Sequence, residues 1–103
     1  MGSTFFKYIL LFIFIGAGPA QKGSVTIEGK VVAESTGKPV YHAHVYVLDG
    51  EEEALTDVNG DFHIKSWQKI PLRLTAERQD AYQKASVVVS DPQVRQLIRL
   101  KNR

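Results

Sequence analysis

Cysteine is absent from the 103-residue chain. No disulfide framework can staple it, and no thiolate is at hand as a soft metal ligand. A domain of this size folds without staples only around a continuous apolar core. Net charge is also scarce. It is formally +2 for the whole chain and about +1 once residues 1–20 are set aside, with 12 basic and 11 acidic side chains left. That balance excludes the basic footprint of nucleic-acid binding. An amphipathic helical pattern of any length is missing, as are internal repeats and low-complexity tracts. The uninterrupted apolar run, Tyr8–Ile15, is too short for a membrane span. Even as a helix from Tyr8 to Ala17 it reaches about 15 Å, against roughly 30 Å of hydrocarbon.

What is present divides the chain in two. Lys7 and the amino terminus precede the apolar run, and Gly16-Ala17-Gly18-Pro19-Ala20 follow it, then polar Gln21-Lys22. Charge, apolar stretch and small-residue site in that order read as a secretory signal peptide over residues 1–20. Gly18 and Ala20 suit the −3 and −1 positions, so cleavage is expected after Ala20. No cysteine stands beside the cut for lipid attachment. The expected location is periplasmic or secreted, with the membrane met only during export. The remaining domain, 21–103, is bounded by its length to a single unit.

Alternation of period two dominates that domain. Val25, Ile27, Gly29 and Val31 alternate with Thr26, Glu28 and Lys30, which reads as a strand with one buried face. Gly29 falls on the inward row and marks a bulge or a close backbone approach. Ala43, Val45 and Val47 alternate with His42, His44, Tyr46 and Leu48. Asp49-Gly50 is a hairpin signal. A short strand follows around Ala54–Thr56, then Phe62 and Ile64 on one face of the next. Leu72, Leu74 and Ala76 form an inward row, as do Ala85, Val87 and Val89. Val94, Gln96, Ile98 and Leu100 form the last one, where Gln96 is out of keeping and a helix with Val94-Leu97-Ile98 spacing is the rival. About seven strands with turns every 8–12 residues predict an all-β, seven-stranded Greek-key-type sandwich.

Two turns punctuate this series. One is Thr36-Gly37-Lys38-Pro39-Val40. The other is Thr56-Asp57-Val58-Asn59-Gly60-Asp61-Phe62, where Asp57 caps the backbone, Asn59 favours the turn and Gly60 takes the left-handed position. The ordered set of Gly29-x-Val31, the Thr36–Val40 turn, Ala43-x-Val45-x-Val47 and Thr56-Asp57-x-x-Gly60-x-Phe62 resembles the carboxypeptidase regulatory-like family. The resemblance covers residues 25–90 and implies a prealbumin-like (transthyretin-like) sandwich of secreted and periplasmic proteins. Glu53 stands where that family often has a second glycine, and Ala81-Tyr82 where it has Gly-Tyr. The resemblance implies folding support, docking or linking, since such modules accompany catalytic domains without holding their zinc. It implies no catalytic residue and no cofactor.

His42 and His44, two apart on a strand, share a face, and His63 would supply a third imidazole for zinc or copper. The spacing leaves that set incomplete, so no metal is expected. Counted as a calcium loop from Asp57, the sixth and twelfth positions hold Phe62 and Gln68 rather than Gly and Glu. A surface contact with the nearby Glu51–Glu53 is all that this loop could offer calcium. No serine lies in a Gly-x-Ser-x-Gly elbow. The enzymatic alternative is a small hydrolase on a transthyretin-like fold, and Leu100-Lys101-Asn102-Arg103 lacks the Tyr-Arg-Gly-Ser ending of the known one. Trp67, Tyr41, Tyr46 and Tyr82 are candidates for stacking on carbohydrate, with Trp67 expected over the core. The candidate partner-binding surface is the outward row His42, His44, Tyr46 and Leu48, facing a protein partner or a second copy of the domain.

Overall fold

The computed structural model describes residues 23–103. The expected export signal and its cut after Ala20 lie outside them. The described chain forms seven strands: β1 (Val25–Ala33), β2 (His44–Leu48), β3 (Glu52–Leu55), β4 (Asp61–Ser66), β5 (Leu72–Glu77), β6 (Ala85–Val89) and β7 (Gln96–Leu100). They lie in two sheets, a three-stranded one ordered β4-β1-β7 and a four-stranded one ordered β3-β2-β5-β6. The protein is an all-β sandwich. Two hairpins, β2–β3 and β5–β6, build the larger sheet, and every other connection crosses between sheets. Pairing is antiparallel throughout except between β1 and β7, which run parallel from Gly29 beside Gln96 to Ala33 beside Leu100.

The inward rows fill the space between the sheets. Ile27, Val31, Ala43, Val45, Leu74, Ala76, Val89, Ile98 and Leu100 are fully enclosed, with Phe62, Ile64 and Leu72 nearly so. These are the positions that the alternation assigns inward. At Gly29 the row lacks a side chain because the Phe62 ring occupies that space. A Cβ there would lie 2.6 Å from Phe62 Cζ and would also meet the backbone carbonyl oxygen of Gln96.

The two turns of the sequence meet in space. Gly60 has φ +78°, and a Cβ on it would lie 2.5 Å from the Val31 carbonyl oxygen and 3.0 Å from Pro39 Cβ. Val31 N–H donates to Gly60 O at 2.8 Å, while Val31 O accepts from Val40 N–H at 3.0 Å. Asp57 Oδ1 accepts from the N–H groups of Asn59 and Asp61 at 2.9 and 3.0 Å, closing the turn. Thr56, the residue before it, is buried. Its hydroxyl donates to Val40 O at 2.6 Å and accepts from Ala43 N–H at 2.8 Å. One threonine thereby satisfies two backbone groups of the crossing from β1 to β2, where no ladder is available.

Several details differ from the sequence reading. β3 begins at Glu52, two residues before the expected strand, and Glu52 points inward with 7% of its surface exposed. Its carboxylate accepts from Ser66 Oγ at 2.6 Å, Trp67 N–H at 3.0 Å and Gln68 Nε2 at 3.5 Å, tying the edge of one sheet to the end of β4 in the other. Burial pushes the Glu52 carboxyl up, but the bonds from Ser66, Trp67 and Gln68 outweigh it and hold the group below its ordinary value. Ser66 is accordingly the buried last residue of β4. Trp67 does not cover the core: it is 61% exposed. At the other end, β7 is a strand and not a helix, and Val94 lies outside it, exposed. Gln96 is tolerated because it sits at the rim, where its amide donates to Val94 O at 2.8 Å.

Candidate functional site

In a sandwich the inward rows are committed to the core, so a working surface must use an outward face, an edge or the end loops. On the larger sheet, register places Leu55 of β3 beside His44 of β2, and His44 beside Glu77 of β5. The next row runs Glu53, Tyr46, Thr75 and Ser86. Arg73 and Val88 form a further outward pair between β5 and β6. Residues directly opposite one another share a face, so this face carries Leu55, Tyr46 and Val88 among charged and hydroxyl groups. Leu55 is 59% exposed and Val88 61%. Thr75 faces out yet is buried, its hydroxyl hydrogen-bonded to Ser86 Oγ at 2.9 Å.

The expected outward row His42, His44, Tyr46, Leu48 holds only at its centre. His42 precedes β2 and sits in a turn with φ +59°. Its ring stacks on Tyr41, centroids 3.9 Å apart, and its N–H donates to Thr56 O. Arg78 pins this turn by donating from Nη1 to Tyr41 O at 2.8 Å. The strand geometry that would have put His42 and His44 on one face stops short of His42. Leu48 is displaced at the other end. The β2–β3 register shifts between Tyr46 and Leu48, so Leu48 lies opposite the inward Glu52. One extra residue in the strand breaks the two-residue alternation, and Leu48, 38% exposed, belongs to the hairpin end.

His63 does not join them either. Phe62 and Ile64 face the core, so His63 leaves the outer side of the smaller sheet, opposite Glu28. There it lines a shallow polar depression with Glu28, Asp57, Asp61 and Arg95, in which Arg95 and Asp61 form an ion pair. His44 leaves the outer side of the larger sheet, so the two imidazoles project from opposite faces of the sandwich. The zinc or copper set of three histidines is not assembled. A separate open groove of about 480 Å³ lies where Pro92–Arg95 diverge from Val25, Thr26 and Glu28, and it contains no histidine.

Around His44 the structure gathers groups that the sequence left apart. Nε2 lies 2.6 Å from Glu53 Oε1 and 3.8 Å from Asp49 Oδ1, while Nδ1 lies 3.7 Å from Glu77 Oε2. The Tyr46 ring is beside the imidazole, centroids 4.9 Å apart. Glu53 is positioned by Gly50 N–H, which donates to its Oε1 at 3.2 Å. The hydrogen bond to His44 first, and that from Gly50 second, hold the Glu53 carboxyl below its ordinary value. Glu77 also faces Lys84 Nζ at 3.8 Å. The sequence signal for this cluster was the hairpin turn at Asp49-Gly50: folding β3 back on β2 necessarily returns Glu53 to the outward face near His44.

No family model and no curated protein matches this sequence. Among solved structures, a 9R-lipoxygenase from Cyanothece PCC8801 is similar with a TM-score of 0.46 and 14% identity, over 82% of this chain and 18% of the lipoxygenase. The chain thus spans less than a fifth of that enzyme's length, and a likeness at this level transfers no activity.

Proposed function

We propose that this chain is an exported, non-catalytic binding module of the cell envelope, of the carboxypeptidase regulatory-like kind, and that it holds a protein partner or a second copy through the outer face of its larger sheet. The supporting observation is the outward set Tyr46, Leu55 and Val88, displayed on strands whose backs are locked into the core. Rigid strands carry these groups at little entropic cost on binding, and an aromatic ring that shares a face with aliphatic side chains suits an interface. The motif order that resembles the regulatory-like family supports a docking role. The hydrolase reading gains nothing from the geometry, since His44 and His63 leave opposite faces and His42 lies in a turn. Replacing Tyr46 and Leu55 together by lysine tests the proposal. The fold, read by circular dichroism, is expected to persist, while dimerisation or partner co-purification is lost. A double variant that folds and associates as before would place the working surface elsewhere.

A further inference from the structure

We propose that His44, Asp49 and Glu53 form a binding site for a single divalent cation of the zinc type. The three donor atoms, imidazole nitrogen and two carboxylate oxygens, lie within 4.8 Å of one another. In a tetrahedral zinc site with bonds of about 2.0–2.2 Å, neighbouring ligand atoms stand roughly 3.4 Å apart. The Nε2–Glu53 separation of 2.6 Å must open by less than an ångström, and the Nε2–Asp49 separation of 3.8 Å must close by less than half of one. Both adjustments lie within side-chain torsions of exposed residues, with no change to the backbone. The ion replaces the His44–Glu53 hydrogen bond and leaves a fourth position open to solvent or to another molecule.

Three features separate this cluster from ordinary acidic surface. The donors are of two kinds, and an imidazole favours zinc, cobalt or nickel over calcium or magnesium. All three come from one hairpin, so their spacing is fixed by the β2–β3 register and the turn at Gly50, whose N–H orients Glu53. Glu77, from a different strand, stands behind Nδ1 at 3.7 Å. With the ring proton on Nδ1, Nε2 is free to coordinate and Glu77 faces the remaining N–H, the carboxylate–histidine–metal arrangement in which the outer carboxylate orients the ring and raises its basicity. Two coordinating carboxylates balance the charge of the ion. The site is independent of the partner-binding reading, and neither fails with the other.

Calorimetric titration of the purified protein with zinc chloride tests it, with cobalt(II) absorption as a second readout. One ion per chain is expected, with visible cobalt bands. His44→Gln and Glu53→Gln should each weaken binding at least about tenfold, and Glu77→Gln by roughly 10–100-fold. His42→Gln and His63→Gln should leave it unchanged. The apo melting temperature of each variant is measured alongside, and Asp49→Asn, on a mostly exposed side chain, serves if His44→Gln fails to fold. Absence of saturable binding, a stoichiometry other than one, or loss of binding on changing His63 rather than His44 overturns the assignment.

Discussion

Three glycines allow the cost of a close approach to be separated from the cost of a left-handed backbone. Gly37 has φ +74°, and a Cβ on it would meet nothing within 4 Å. Gly37→Ala should therefore lose only the left-handed term, about 1–2 kcal/mol. Gly29 is the opposite case: its backbone tolerates any residue, but a Cβ would lie 2.6 Å from the Phe62 ring and against the Gln96 carbonyl. Overpacking of that kind costs about 1–3 kcal/mol. Gly60 combines both, with φ +78° and a Cβ 2.5 Å from Val31 O. That oxygen cannot retreat freely, since it accepts the bond from Val40 N–H. Gly60→Ala should cost about 2–5 kcal/mol, the two terms together. A domain of about 80 residues has roughly 4–12 kcal/mol to lose, so Gly60→Ala should be marginal and Gly60→Val largely unfolded. Val58→Ala, on an exposed side chain in the same turn, should stay within about 0.5 kcal/mol of the parent. Urea midpoints with unchanged slopes give the ranking. Equal losses for Gly60→Ala and Gly37→Ala would refute the steric part. A loss no larger than that of Val58→Ala would refute the turn itself.

Thr56→Val keeps the shape but orphans Val40 O and Ala43 N–H, so it should cost about 2–5 kcal/mol, whereas Thr56→Ser should cost roughly 1 kcal/mol; thermal melts compare them. The Glu52 carboxyl is held low in the folded state, so its contribution is present above the unfolded value of about 4.3 and is lost as pH falls through the folded one. Glu52→Gln should flatten the acid limb of a stability–pH curve, and an unchanged limb would mean that Ser66 and Trp67 do not stabilise the charged form. Metal-free protein should still fold and melt cooperatively, because no donor of the proposed cation site lies in the core; excess zinc should raise the melting temperature by mass action and a chelator return it to the metal-free value, and a metal-free chain that fails to fold would show that the fold depends on metal. The intact mass of the exported protein should begin at Gln21, and retained Met1 would contradict cleavage after Ala20.

The core was legible because alternation needs no knowledge of partners: Ile27, Val31, Val45, Leu74, Val89 and Ile98 are inward whichever strands adjoin them. The turn at Asp57–Gly60 was legible because its chemistry is local. The site was less so. Placing His44 and His63 on one face required knowing which sheet each strand joins, and that depends on crossings the pattern does not encode. His42 was misplaced because a left-handed residue ends the strand just before Ala43, at a position where histidine gives no warning. Leu48 was misplaced by a bulge, which shifts phase without any glycine to mark it. Glu52 read as one more surface acid in Glu51-Glu52-Glu53, since its inward direction is set by donors on Ser66, Trp67 and Gln68, fourteen to sixteen positions away.

The parallel pairing of β1 with β7 has a kinetic side. Val31 lies beside Ile98, and Ile98 and Leu100 complete the enclosed core. The smaller sheet cannot close until nearly all of the chain is available, and its central strand waits longest for a neighbour. Pairings of such wide sequence separation form slowly, because a large loop must be closed before any contact repays it. A chain made from its amino end therefore stays open through most of its synthesis. For a protein proposed to cross a membrane as an extended thread, that delay would keep the polypeptide threadable, with folding left to the far side, where β7 arrives last.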